Sequence, residues 1–282
     1  YTRVSRAYGG GMIDAMRLRK HIIENIADVV VAPRNQKEIE ELVTYCDDHR
    51  IPMYPYGAGS SVTRGFEAVK GGVSIDMSVH MNRVIKLNEI DQTVTVEAGM
   101  TGPQLEDWLN NAPEKLGAKR RYTAGHFPQS FEYSSVGGWV VTRGAGQNST
   151  YYGKIEDMVI AQEYVTPRGV FKTCEQPRSA TGPDFDQVMM GSEGCFGILC
   201  NVTLKLSRFM PKNRRRFSYM FKNWTDAQAA CREIMQSEFG FPSVLRLSDP
   251  EETDVAMKLY HIEGTIADTV LKMTGYQPMQ KC

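Results

Sequence analysis

Long apolar runs are missing from this chain of 282 residues. None approaches the ~18 consecutive apolar residues that a spanning helix needs, so no transmembrane segment is expected. Net charge is missing as well, because 33 basic side chains balance 33 acidic ones. Nucleic-acid binders carry a basic face; here the one basic run, Lys212 with Arg214, Arg215 and Arg216, reads as a solvated linker, and no nucleic-acid partner is expected. The six cysteines (Cys46, Cys174, Cys195, Cys200, Cys231 and Cys282) form no C-x-x-C pair and have no histidine cluster beside them. That argues against a metal site or a disulfide scaffold and fits a reduced, soluble, intracellular protein. No methionine and no signal peptide open the chain at Tyr1, and it stops at Cys282 soon after Gly275-Tyr-Gln-Pro, so it is expected to be a piece of a longer polypeptide.

What the chain does have is a hydrophobic share of 41%, enough for a real core, and 25 glycines, many gathered in three loops. The first is Pro55-Tyr56-Gly57-Ala58-Gly59-Ser60-Ser61-Val62-Thr63-Arg64-Gly65. Glycine lets other groups approach the backbone closely. Successive N–H groups can then turn inward as an anion-binding nest, with hydroxyl donors from Ser60, Ser61 and Thr63. The Gly-Lys-Ser/Thr ending of a P-loop is absent, and no helix opens on a G-x-G-x-x-G pattern. On this stretch alone, an ordinary glycine-rich turn is as good a reading as a phosphate cradle.

Periodicity sets the loops in context. A helix is expected over residues 10–27, a β-branched strand over 28–32, and a helix capped by Asn35 whose Ile39, Leu42, Val43 and Cys46 share one face. A second strand over 51–56 then delivers the first loop at the end of a β-α-β unit, where ligands commonly sit. Strands follow at 72–76, 83–87 and 93–98, and a helix capped by Thr101. The polar loop at 125–135 runs into Val136-Gly137-Gly138-Trp139, whose paired glycines suggest a close backbone contact. A hairpin is expected over 158–173, a short helix over 184–190, a third glycine loop at 191–197 and a strand over 198–206. Beyond Ser207 the pattern reads β-α-β-α: strands at 217–221 and 243–247, helices at 225–238, 251–260 and 266–273. Thr225 or Asp226 caps the first of these helices, and Asp249 with Pro250 starts the second.

Three glycine-hydroxyl loops call for a ligand with a long polar backbone, and a dinucleotide with a pyrophosphate and two ring systems would occupy all of them. From about Tyr8 to its end, the chain resembles the vanillyl-alcohol oxidase family of flavin enzymes (PCMH-type FAD-binding), and within it the alkyldihydroxyacetonephosphate synthases. The resemblance rests on Pro55-Tyr-Gly-Ala-Gly-Ser-Ser-Val62, Ser134-Ser-Val-Gly-Gly-Trp-Val-Val-Thr-Arg143 and Gly191-Ser-Glu-Gly-Cys-Phe-Gly-Ile198. Tyr152-Gly-Lys-Ile-Glu-Asp-Met158, Val165-Thr-Pro-Arg-Gly169 and Thr181-Gly-Pro-Asp184 support it. Ala58 and Gln129 depart from family patterns that favour glycine and an acid at those places.

The resemblance implies an α+β fold. A helical segment (1–24) precedes a two-subdomain FAD-binding domain (25–208, subdomains about 25–118 and 119–208), and the start of a smaller α+β substrate domain follows (209–282). FAD would lie between the subdomains, with Pro55, Tyr56, Gly57, Ala58, Gly59, Ser60 and Ser61 on its pyrophosphate. Gln129, Ser130, Phe131, Glu132, Tyr133, Ser134 and Ser135 would line the rest, with Thr142, Arg143, Gly144 and Ala145. Glu193, Gly194, Cys195, Phe196, Gly197, Ile198 and Leu199 complete the implied set. Some relatives attach flavin through a histidine in or near the first loop; this loop has none, so the FAD is expected to be non-covalent. His126, beside the second loop, is either a further contact to FAD or a structural loop histidine.

Arg246 matches a family arginine that matters for activity in the synthases and is expected on a strand facing the flavin, binding a substrate carboxylate or phosphate in bidentate fashion. The alternative is a surface arginine paired with Asp249 or Glu251. The implied activity is exchange of an acyl for an alkyl group through a flavin adduct, without net redox change, on a lipid-like phosphate ester. A flavin-linked oxidoreductase acting on a hydroxy acid or alcohol is the second reading, and a flavin-binding module without turnover the third. The general base is expected beyond Cys282. A small-molecule substrate, a homodimer, and a cytoplasmic (or, in a eukaryote, peroxisomal) location complete these expectations.

Overall fold

Helices form first along the chain. The computed structural model describes residues 2–176 and 179–282, which form two compact units, Tyr1–Phe209 and Met210–Cys282. Tyr1, the first residue of the expected helical segment, lies outside the described residues. α1 (Thr2–Ser5) forms ahead of the helix expected over 10–27, which shortens to α2 (Met12–Arg19). His21 stops α2 by turning left-handed, φ 55°, while the Ile22 N–H bonds back to Arg17 O at 3.0 Å.

The β-branched run becomes β1 (Val29–Val31), and α3 (Gln36–Asp48) crosses from it to β2 (Met53–Tyr56). Asn35 caps α3, its Oδ1 accepting from Glu38 N at 3.0 Å. Ile39, Val43 and Cys46 bury one face of that helix. β3 (Val73–Asp76) runs between β1 and β2, parallel to both, with Ser74 opposite Val30 and Tyr54.

The second sheet is antiparallel. β4 (Val84–Asn88) and β5 (Thr93–Glu97) lead into α4 (Gly102–Asn110), α5 (Ala112–Leu116) and the short β6 (Tyr122–Thr123). Strict alternation in β5 sends Val94 and Val96 into the core, while Thr95 on the other face meets Thr203 Oγ1 at 2.9 Å. The second glycine region folds as α6 (Val136–Val141), followed by α7 (Ser149–Tyr152) and α8 (Ile155–Met158). The expected close contact is present: Gly137 N–H donates to Ala98 O at 2.8 Å. The hairpin β7 (Val159–Thr166) and β8 (Gly169–Lys172), the helix α9 (Phe185–Met189) and β9 (Ile198–Lys205) complete the sheet in the order β4-β5-β9-β7-β8. β10 (Ser207–Arg208) pairs with β6.

Two apolar clusters hold this unit. The larger packs Leu105 and Leu109 of α4 and Val136, Trp139 and Val140 of α6 against Val94, Val96, Tyr164, Val202 and Leu204. The smaller joins Ile39, Val43, Ile75 and Met77 to Val165, Ile198 and Cys200, fastening the first sheet to the second. That fastening sets the end of β2, and with it the first glycine loop, beside the start of β9 and the third.

The second unit holds α10 (Trp224–Gln236), α11 (Pro250–Leu259) and α12 (Ile266–Met273). Asn223 caps α10, its Oδ1 accepting from Asp226 N at 2.9 Å, in place of Thr225 or Asp226. Asp249 caps α11 from Glu252 N at 2.7 Å. Neither expected strand, 217–221 or 243–247, forms. A strand needs a neighbouring strand for its backbone groups. Here Phe221 exchanges two backbone bonds with Cys282, at 2.8 and 3.1 Å, and the pairing goes no further. The β-α-β-α reading of this region is therefore corrected to three helices in irregular chain.

Candidate functional site

In the first unit, segments far apart in sequence line one cleft of ≈ 430 Å³. Pro55, Tyr56 and Gly57 come from the first loop; Ser135, Gly137, Gly138 and Val141 from α6 and its cap; Glu193, Gly194, Gly197, Ile198 and Leu199 from the third loop; Met77 and Ala98 from strand ends.

The loops interlock so closely that side chains are excluded at their contacts. A Cβ on Gly57 would lie 2.2 Å from Ser135 Oγ, and one on Gly194 2.5 Å from Pro55 Cγ. The third loop docks on the end of α6, where Gly191 N donates to Val140 O (3.2 Å) and Glu193 N to Val141 O (3.0 Å). Thr63 Oγ1 donates to Glu193 Oε2 at 3.0 Å and ties the first loop to the third.

Among the described residues, no backbone N–H from Gly57 to Thr63 donates to a protein acceptor. Residues 57–61 of this row are half-buried and 62–63 exposed, and N–H groups in such a row are free for an oxyanion, the property a nest requires. No lysine, arginine or histidine lines the cleft, and Glu193 is its one charged lining residue. A bound anion would thus be held by backbone dipoles.

The other candidates fall into distinct places. Ala58, Gly59, Ser60 and Ser61 form the half-buried turn beyond Gly57. Phe131, Glu132 and Tyr133 make one 3₁₀ turn, with Gln129 and Ser130 just before it. Ser134 is buried and accepts from Trp139 Nε1 at 2.6 Å. Ser135 caps α6, accepting from Gly138 N at 3.2 Å. Thr142 and Ala145 are exposed beside half-buried Gly144. Cys195 and Phe196 are exposed at the rim of the third loop.

Arg143 is a brace and not a lining residue. Its guanidinium donates to Glu156 Oε2 and Gln187 Oε1, both at 3.1 Å, to Met190 O at 3.2 Å and to Gln187 O. His126 is 1% exposed, 4.8 Å from the Trp139 ring, and neither ring nitrogen has a hydrogen-bond partner among the described residues. Burial lowers its pKa to about 4, so it is neutral near pH 7. Glu106 holds the backbone just before it, accepting from Thr123 Oγ1 (2.8 Å) and Ala124 N (2.9 Å), and burial raises its pKa.

Arg246 belongs to the second unit and lies on no strand. Its side chain is 67% exposed and pairs with Glu252, a partner other than the expected Asp249 or Glu251. Met77 and Ala98 had no motif to mark them, and Val141 stood in a motif without being singled out. Gly137 and Gly138 stood in a motif, as a contact and not as cleft lining.

The family model for the FAD binding domain matches residues 27–175. The chain is 31% identical over 269 residues to an alkyldihydroxyacetonephosphate synthase of Dictyostelium discoideum, covering 94% of this chain and 42% of that protein. It is 32% identical to an uncharacterized FAD-linked oxidoreductase of Escherichia coli K12, over 80% of this chain and 45% of that one. A solved alkyldihydroxyacetonephosphate synthase superposes on all of this chain and 50% of its own, with TM-score 0.86 and 28% identity. The chain therefore spans less than half the length of these curated relatives. Among the described residues, no helix is long and apolar enough to cross a membrane.

Proposed function

The chain belongs to the FAD binding domain family, and on that premise we propose that its three glycine loops form the FAD site of an enzyme resembling alkyldihydroxyacetonephosphate synthase. The observation that carries this reading is the unspent row of N–H groups at 57–63, whose first residue, Gly57, lines a cleft that loops two and three complete. Pro55 to Ser61 hold the pyrophosphate; residues 129–135, 142–145 and 193–199 line the rest, with Arg143 acting as a brace. Residues 25–208 are the FAD-binding domain and 209–282 the start of a substrate domain. The first loop has no histidine, so the FAD is held without a covalent bond. Bound FAD supplies a ring system that takes up electrons from, or bonds to, a substrate carbon. The protein orients it and excludes water through the apolar wall of Met77, Ala98, Ile198 and Leu199.

Arg246 binds the anionic group of a lipid-like phosphate ester, exchanging Glu252 for it. The full enzyme is an intracellular homodimer, cytoplasmic or, in a eukaryote, peroxisomal. A second reading, an FAD-linked oxidoreductase of a hydroxy acid or alcohol, is favoured by the 32% identity to the Escherichia coli protein.

The purified full-length protein should be yellow and release FAD on acid denaturation. Protein that is colourless and takes up no added FAD refutes the central reading; flavin that stays on the denatured chain refutes the non-covalent part. Anaerobic mixing with a hydroxy acid separates the two activities, since bleaching to reduced flavin means oxidoreductase. Exchange of a labelled fatty alcohol into product means transferase.

A further inference from the structure

The family match begins at residue 27, yet residues before it add contacts that hold the first glycine loop. The loop has little to hold itself: its internal bonds are Ser61 Oγ with Thr63 Oγ1 at 3.1 Å and Arg64 N to Ser61 Oγ at 3.2 Å. Among the described residues, the only backbone bond made to 57–63 comes from Gly10 N, which donates to Ser61 O at 2.9 Å. Contact there is tight, since a Cβ on Gly9 would lie 2.3 Å from the same carbonyl oxygen.

Both ends of this N-terminal segment are fastened. At the start, the Arg6 guanidinium reaches buried Asp76 at 2.6 Å and lies 5.0 Å over the ring of Tyr56, the last residue of β2. At the far end, buried Glu67 accepts from Arg17 (2.9 Å), Asn25 Nδ2 (2.9 Å) and Arg64 (2.5 Å), so one carboxylate ties α2, the chain after it and the end of the glycine loop together. Burial pushes the Glu67 carboxyl up, but the Asn25, Arg17 and Arg64 donors outweigh it and hold it below the usual range. The knot therefore stays charged at neutral pH.

We infer that residues 6–25 are part of the cofactor site: a strap that keeps 57–63 in the shape in which its N–H groups converge, with Gly9 and Arg17 as positioning residues for FAD. The inference rests on the reading that these N–H groups hold the pyrophosphate. A loop without internal backbone bonds would otherwise be ordered only on binding, and that ordering subtracts from affinity. The strap meets this cost in the folded chain.

The test titrates flavin-stripped protein with FAD, following flavin fluorescence, beside thermal melts of the stripped protein. Arg17→Ala, outside the cleft, should raise the Kd about tenfold, the scale of a lost charge-assisted hydrogen bond, with Arg17→Lys recovering part. Gly9→Ala should raise it further, because its methyl forces the Ser61 carbonyl away. Wild-type Kd in both alanine variants overturns the strap, and so does a lowered melting temperature with unchanged Kd. If Gly9→Ala does not fold, Arg17→Ala decides alone. A wild-type protein that takes up no FAD overturns the reading beneath the strap, and the strap with it.

Discussion

In the first unit, Val94, Val96, Leu105 and Leu109 are wholly buried. In the second, Leu259, Tyr260, Ile266 and Met273 stay 72–85% exposed. The second unit is tied instead by polar groups: Lys281, 2% exposed, reaches Asp254 at 2.5 Å, and Lys272 reaches buried Asp268 at 2.7 Å. Its helices are nevertheless as well capped as those of the first unit, by Asn223, Asp249 and Thr265. Caps and i→i−4 bonds are local and need no neighbour. A core and a sheet need one, and the cleft lies in the unit that has both.

Core truncation should sharpen that contrast most. Leu105→Ala is expected to cost about 3 kcal/mol in the first unit, from lost burial and a residual cavity. Leu259→Ala in the second should stay within about 0.5 kcal/mol. Urea unfolding of each variant measures both, and comparable losses would break the comparison.

The next effect is at the cleft. Gly59 has φ 74°, where a branched side chain is strained, and a Cβ there would meet the Tyr56 hydroxyl at 2.1 Å. Gly59→Val should weaken FAD binding about a hundredfold, or ~2.7 kcal/mol, while the circular dichroism of the helices is retained. Unchanged affinity would reduce the loop to a turn.

Acidification should reach the first unit through His126. Its folded pKa of about 4 lies below the ordinary 6.5, so as pH falls the unfolded chain takes the proton first. Stability is therefore lost through the window from about 6.5 down to 4, about 2 kcal/mol of it between pH 7 and 5. Glu106 and Asp186, raised by burial, act in the opposite sense, so the quantity to compare is wild type against His126→Phe. Parallel pH profiles for the two proteins would remove His126 from the account.

A small stability effect is expected at Arg246. An exposed ion pair contributes less than about 1 kcal/mol, so Arg246→Lys should scarcely move the melting temperature. Turnover of the full-length enzyme should fall about ten- to a hundredfold, because lysine lacks the planar fork. Wild-type turnover would leave Arg246 as the partner of Glu252 and nothing more.

Much of the first unit was legible in the sequence. The valines of β1, the Asn35 cap and the alternation in β5 each announce their element through contacts within a few residues. The two failed strands of the second unit carry the same kind of signal, β-branched and aromatic residues in extended pattern. The sequence could not show that no neighbouring strand would receive them. Arg143 was itself expected to line the cofactor, and its turn towards Gln187 and Glu156 depends on where α9 packs.

By itself, then, the sequence determined the three glycine loops, the helices α3 and α11 with their Asn35 and Asp249 caps and the flavin-family pattern, since backbone freedom and capping are decided within one turn of chain. Only the tertiary structure decided that the loops share one cleft, that Met77 and Ala98 wall it, and that residues 6–25 hold the first loop from outside. Those relations join residues up to 140 or so apart, and long-range contacts of that kind follow from how the two apolar clusters close, which no local pattern encodes.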